Sequence, residues 1–362
     1  MRVNIISDKI LLCSSRKYRL WYKNGNIFST GNDTDEYVFL GTLANMNIEH
    51  VRLSKYRILQ RMLRLAPRCG IFVSESIAII SFYGYVIRIE IEENKIEIEH
   101  QFRKDMNNPL TFCKLAGIEG FGDGVYYGEY FGNAKEEEVR IYRRTDEGKW
   151  AVAYCFPSGT VRHIHNIVGD CQNKCVYVLA GDEDRQSAIW KFMDNFKSYE
   201  IIGGGSQQYR ACVGYSFKAG FFYATDSPLE KNHIYYMKEF GIKPESVLEI
   251  EGPCIYGRKI GEELYALSTS VEPDSRIKGL RYMLSYRKGK GVKSYNSKVY
   301  IGNPERGFVE VLSAKKDIFP MLLFGFGTFL FPNVTVGELI ITGQSLKRYD
   351  GKTISINTDE IY

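Results

Sequence analysis

Along this chain apolar and polar residues alternate over short stretches, and long helical periodicity is scarce. GIFVSESIAIISF, YVIRIEIEENKIEIEHQF, DGVYYGEYF, EEVRIYRR, KCVYVLAGD, GFFYATD, NHIYYMK, EELYALSTS and GELIITGQSLKRYDG are separated by polar or glycine-containing turns. A period of two sends successive side chains to opposite faces of a sheet, so these stretches are predicted strands. Many short strands at regular spacing point to a sandwich, a barrel or a propeller.

Self-comparison selects the propeller. One unit recurs: a turn, an apolar strand containing Tyr, a small polar tail, a second strand, a charged turn and a last apolar strand. It reads as GDGVYYGEY with VRIYRRTDEGKWAVAY, NKCVYVLAGDED with AIWKFMDNFKSYEII, and KAGFFYATDSP with HIYYMKEF and ESVLEI. It returns as GEELYALSTS with RYMLSYRKG, and as VGELIITG with LKRYDGKTISI. The period is roughly 45 to 60 residues, a blade length or slightly more. Segments near 1–40 and 56–102 have the same size, making about seven units. A lone blade cannot bury both faces of its sheet, so the blades must close on one another. The expectation is an all-β chain: a single β-propeller domain over 1–362, with seven four-stranded blades.

Composition agrees. The 362 residues are 44% hydrophobic and 25% charged, which excludes a disordered, collagen-like or disulfide-dense chain. Aromatic residues reach 14%, a β-leaning excess. With 48 basic and 43 acidic residues the net charge is +5, too small to imply a nucleic-acid partner, and nucleic acid is not expected. Asp8 and Lys9 interrupt the apolar N-terminal stretch, so no secretory leader is read there. The apolar run IFPMLLFGFGTFLFP (318–332) contains two prolines and is read as two adjacent buried strands, not a membrane span.

Eight cysteines are scattered, most beside apolar residues; only Cys171 and Cys175 are close, and no second pair completes a zinc site. Free structural thiols are expected, with no metal and no cofactor. The location expected is cytoplasmic, with peripheral membrane attachment left open by the basic segments described below. Nucleotide-binding glycine signatures, G-x-S-x-G and H-E-x-x-H are all absent from the sequence.

The turn DEGKW (146–150) resembles an eroded Asp-box, the S-x-D-x-G-x-T-W turn of sialidase-like propellers, and DNFKSY (194–199) and DGKTI (350–354) resemble more eroded forms. Asp accepts turn amides, Gly takes positive φ and the aromatic residue packs between sheets. The resemblance implies the propeller superfamily of glycosidases, polysaccharide lyases and glycan-binding proteins. The arginine triad and Tyr/Glu pair of true sialidases find no match here.

Candidate chemistry concentrates in the middle units. His163 and His165, in VRHIHNI, lie two apart and share one face of a strand. Such a pair suits a general base, a metal site or a buried structural contact. Glu129, Asp182 and Asp226 fall at related positions in three consecutive units, where a ring would bring carboxylates together. Arg210, with Gln208 and Tyr209 beside it, opens the next unit; Arg162 and Arg68 are further candidates for binding a carboxylate. Two chemistries remain open. β-Elimination would use His163 or His165 as base, Arg210 as neutraliser and Tyr127 or Tyr209 as acid. Glycoside hydrolysis would use Glu129 with Asp182 or Asp226.

Two segments are strongly basic. Residues 276–298 carry eight Lys/Arg and residues 52–68 carry six, with no acid in either. The first reads as a long solvated loop, the second as part of a blade, and both suit an anionic membrane surface or an acidic polymer. The function expected is that of a carbohydrate-active or glycan-binding propeller with an acidic polysaccharide or glycan as partner. Whether it is an enzyme stays open. The alternative is a non-catalytic scaffold for a protein or polyanionic polymer.

Overall fold

The computed structural model describes residues 3–334 and 339–358. The strands form seven four-stranded antiparallel sheets, arranged as the blades of a ring. Blades 1 to 6 occupy residues 10–42, 70–101, 113–156, 164–204, 211–250 and 254–315, and each runs from an inner strand outwards in chain order. Blade 7 differs. Its inner three strands are Thr328–Leu330, Leu339–Gln344 and Thr353–Ile356, and its outer strand is Val3–Ser7 from the other end of the chain. The ring is therefore closed by backbone hydrogen bonds between the first and last strands.

Aromatic and branched side chains fill the wedges between blades. One cluster runs through blades 2 to 4, with Phe102, Tyr127 and Phe156. Others join blades 1 and 2 around Leu20 and Ile80, blades 4 and 5 around Tyr177 and Phe221, and blades 5 and 6 around Phe222 and Tyr265. Ile301 meets Ile341 between blades 6 and 7, and Trp21 meets Ile340 across the closure. A radial wedge widens outwards, and large planar rings fill it with little entropy loss, which explains the aromatic excess. Tyr177 and Phe221 sit with ring centroids 4.4 Å apart. Where sheets approach most closely the chain uses glycine: a Cβ on Gly128 would lie 2.3 Å from Ile164.

Strand alternation places the blade-to-blade connections and the loops between second and third strands on one face of the ring. That face carries three short helices: α1 (Arg57–Met62) between blades 1 and 2, α2 (Gly279–Met283) within blade 6, and α3 (Met321–Phe324) between blades 6 and 7. Two sequence readings are corrected here. Residues 52–68 are not a blade strand but a 3-10 turn followed by α1. Leu, Met, Gln and Arg are good helix formers without β-branching, and Gln60 is anchored by donating to the Tyr22 hydroxyl at 2.6 Å. Residues 318–332 hold α3 and only one strand, Thr328–Leu330, because Pro320 starts a helical turn that Gly325, at φ +96°, stops.

The three Asp-box-like turns divide. DEGKW and DNFKSY connect third and fourth strands of blades 3 and 4, whereas DGKTI connects the second and third strands of blade 7. All eight cysteines are free thiols.

Candidate active site at the channel mouth

All seven inner strands line a central channel with a cavity of about 480 Å³. In four blades the inner strand slips register against its neighbour at one residue, Leu12, His165, Cys212 or Ile255, and each of these residues lines the channel. Such bulges break the alternation and re-aim a side chain. In blade 4 the slip between Ile164 and Asn166 releases His165 from the ladder.

His165 meets His163 at Nε2–Nε2 3.0 Å, and both rings are almost fully buried. His163 Nδ1 donates to the Phe131 carbonyl at 3.1 Å, and His165 Nδ1 donates to the Ala211 carbonyl at 2.9 Å. Carbonyls only accept, so both neutral rings carry their proton on Nδ1; this tautomer follows from the hydrogen-bond network. Both Nε2 lone pairs then face each other. They also face Asp182, whose Oδ2 is 3.2 Å from His163 Nε2 and whose Oδ1 is 3.3 Å from His165 Nε2. Three acceptors converge on one point, an arrangement that calls for a shared proton or a cation.

Arg210 flanks this point. Its Nη2 lies 3.2 Å from Asp182 Oδ1 and 3.7 Å from Asp226 Oδ2, while Nη1 donates to the Asp182 carbonyl at 3.1 Å. Asp226 is buried and accepts from the Cys212 thiol at 3.2 Å. Glu272, from the loop that follows the second strand of blade 6, is buried behind it and accepts from Ser270 Oγ at 2.9 Å. Tyr130 lies over His163 with centroids 4.4 Å apart, and the Arg68 guanidinium sits 5.3 Å from the Tyr130 ring.

The electrostatics separate the three carboxyls. Burial alone would raise Asp182, but His163, His165 and Arg210 hold it well below the usual carboxylate range. Burial raises Asp226 against the opposing pull of Arg210. Burial, reinforced by repulsion from Asp226, pushes Glu272 up to about 8, so this carboxyl holds a proton at neutral pH. Burial lowers the proton affinity of His163, only partly offset by Asp182. Two buried polar atoms, Asp226 Oδ1 and Arg210 Nε, have no hydrogen-bond partner among the described residues. Opposed proton affinities and unpaired polar atoms in one concave place are features of reactive sites.

The structure gathers some of the sequence-predicted residues and disperses others. His163, His165, Asp182, Asp226, Arg210 and Arg68 share this cluster. Glu129 does not: its buried carboxylate accepts from Arg103 and from the Arg140 amide, at 3.1 and 2.9 Å. Tyr127 lies in the aromatic wedge between blades 2 and 3, bonded to His100 Nε2 at 2.9 Å, with burial raising its hydroxyl far beyond use as an acid. Arg162 donates to Gly132 O and Glu183 on the rim. Tyr209 packs near Tyr223, centroids 6.3 Å apart, and Gln208 is half-buried in the same turn. The adjacent Gln207 makes the contacts that matter, donating to the Asp182 carbonyl at 3.0 Å. Tyr130, Cys212 and Glu272 escaped the sequence reading. The signal for Glu272 was present, since it follows the same strand as Asp182 and Asp226, offset by one or two residues.

His163, His165 and Asp182 each offer a ligand atom within 4.8 Å of the others. Two imidazole nitrogens with fixed Nδ1 donors and one carboxylate suit a divalent transition metal, and the backbone carbonyls act as the outer contacts that orient such ligands. The donor set therefore fits a metal, one of the roles the sequence leaves open for the histidine pair.

No protein-family model matches the chain, and no curated protein matches its sequence. Among solved structures, it is similar to a chain of a mitotic checkpoint complex (TM-score 0.53, 7% identity, covering 98% of this chain and 92% of that one). It is also similar to an oligogalacturonate lyase in complex with manganese (TM-score 0.51, 8% identity, covering 97% and 89%). An oligogalacturonate lyase from Vibrio parahaemolyticus gives a TM-score of 0.49 at 10% identity over 85% and 78%. At such identities the likeness establishes the fold alone: the chain is a seven-bladed β-propeller whose polar cluster stands at one mouth of its channel.

Proposed function

We propose that the protein acts on an acidic saccharide by β-elimination at the channel mouth. The observation that carries this reading is the buried imidazole pair whose Nε2 atoms meet each other and Asp182 beside Arg210. Elimination from a uronate needs a base for the C5 proton, a cation against the carboxylate and an acid for the leaving oxygen. His165, whose residue lines the channel, takes the proton on Nε2, and Asp182 stabilises the imidazolium. Arg210 and Arg68 neutralise the uronate carboxylate. The C5–H electrons form the C4–C5 double bond as the C4–O bond breaks, and Glu272 protonates the departing oxygen. Tyr130, and not Tyr127 or Tyr209, packs over the pair, but burial raises its hydroxyl as well, so it shapes the site and the acid is Glu272.

When bound, a divalent cation held by His163, His165 and Asp182 would supply the charge that stabilises the carboxylate during proton loss. The histidines would then be ligands and not bases. Hydrolysis is the less supported chemistry, because Glu129 is committed to Arg103; its remaining pair is Asp182 and Asp226, which share Arg210.

The test is incubation with a panel of uronate-containing polymers and oligomers, following the absorbance of unsaturated uronates and the release of reducing ends. New absorbance is expected, with kcat lowered about 10²- to 10⁴-fold in His165→Ala. Dialysis against a chelator separates the two roles of the histidines: activity restored only by Mn²⁺ or Zn²⁺ assigns them as ligands, and unchanged activity assigns them as bases. Reducing ends without absorbance would replace elimination by hydrolysis. Silence in both channels across the panel, from folded protein with and without added metal, would return the reading to a glycan-binding or scaffold propeller.

A further inference from the structure

The two basic segments, 52–68 and 276–298, are far apart in sequence but meet on the face that carries the channel mouth. Arg61 of α1 donates to the Phe324 carbonyl of α3 at 2.9 Å, and the Met321 amide of α3 donates to the Ser285 carbonyl just after α2 at 3.3 Å. Beneath them, Val271, Val292 and Met321 form a small apolar core. The three helices are thus one platform.

Its outer surface is unusual for this molecule. The described residues include twenty exposed large apolar side chains, and nine of them stand on this platform and its flanks. Ile58, Met62, Leu280, Leu284, Ile318 and Phe319 are the prominent ones, with Leu280 and Ile318 at 69% and 82% exposure. Most of the others are scattered along outer strands, where alternation alone explains them. A cluster is a different matter, because a contiguous apolar surface marks a place of contact.

The charge around it selects the partner. Asp274, Asp317 and Asp350, the acids within the platform, are each taken by a neighbouring Arg or Lys. Arg52, Lys55, Lys278 and Arg281 are exposed and have no acidic partner among the described residues. Apolar side chains projecting through a ring of unpaired cations match an anionic bilayer, whose headgroups take the charges while its acyl boundary takes the side chains.

We infer that α1, α2 and α3 form a docking platform for an anionic lipid membrane, and that docking turns the channel mouth towards the headgroup layer. No helix of the described residues is long and apolar enough to cross a bilayer. This inference is independent of the chemistry proposed above.

The experiment is flotation of the purified full chain with phosphatidylcholine vesicles, with and without phosphatidylglycerol. Binding to the anionic vesicles at low salt is expected, with release as salt rises and little binding to neutral vesicles. The double variant Leu280→Ser with Leu284→Ser, and separately Lys278→Glu with Arg281→Glu, should each lower the bound fraction about tenfold. All four side chains are exposed, so circular dichroism and the melting midpoint should not change. Absence of binding at low salt, equal binding to both vesicles, or unchanged binding by the folded variants would overturn the inference. So would sedimentation showing a dimer that the Leu280 and Leu284 changes dissociate, since the platform would then be covered by a second copy.

Discussion

Both imidazoles of the central pair donate through Nδ1 to fixed carbonyls, which leaves their Nε2 atoms nothing to do except share a proton or a cation with Asp182. Around them the carboxyls are held in different protonation states, and Glu272 yields a prediction with a definite sign. Its pKa rises on folding from 4.5 to about 8, so between those values the folded protein binds a proton that the unfolded chain has released. Stability associated with this group is intact below 4.5, declines as pH rises through the window and stays low above 8. Glu272→Gln should therefore leave the melting midpoint unchanged near pH 4 and raise it by about 5 °C near pH 9, as read by a pH series of thermal melts. A midpoint equal to wild type at both pH values would show that Glu272 is not held protonated. The histidine pair was legible in the sequence as two of five histidines standing two residues apart, but the bulge at His165, not strand alternation, turns the rings together. The full carboxyl set was not legible. Asp226 directly follows its strand end, Asp182 lies two residues beyond and Glu272 three, so loop length, not sequence position, decides which carboxylate reaches the cluster. Glu129 sits in equivalent register and still turns away, because Arg103 captures it.

Strands and turns show the same division. Gly181, immediately before Asp182, has φ +87°, and a Cβ there would lie 2.0 Å from the Gln186 carbonyl oxygen. Both the backbone conformation and the contact forbid a side chain. Gly181→Ala should destabilise the protein by about 1–3 kcal/mol in urea unfolding and lower activity further by displacing Asp182. Full activity with unchanged stability would show that the loop tolerates the shift. The blade strands were readable because alternation is a local property of the chain. The segment 52–68 was not, since its apolar spacing fits both periods; burial of Gln60 and Leu65 against the Tyr22 hydroxyl side of blade 1 decided for helix.

At the scale of the whole molecule, the ring depends on a strand borrowed from the opposite end of the chain. Deleting residues 1–7 would leave the Thr353–Ile356 edge unpaired. The expected result is a melting midpoint lower by about 5 °C or more, with aggregation that grows with protein concentration, measured by calorimetry and light scattering. A truncated chain that melts as wild type would mean that packing between blades 7 and 1, not the shared strand, closes the ring. The same closure brings blades 4, 5 and 6 round the channel mouth and sets the helices of blades 1, 6 and 7 side by side.

By itself the sequence determined the strand content and the number of blades. These follow from periodicity and repeat length, which each unit carries within itself. Tertiary structure alone decided which carboxyls meet the histidines, that Tyr130 and not Tyr127 stands over them, and that two distant basic segments share one apolar face. Those outcomes depend on bulges, loop lengths and competing ion pairs between blades, and the energy of such contacts exists only once the ring has closed.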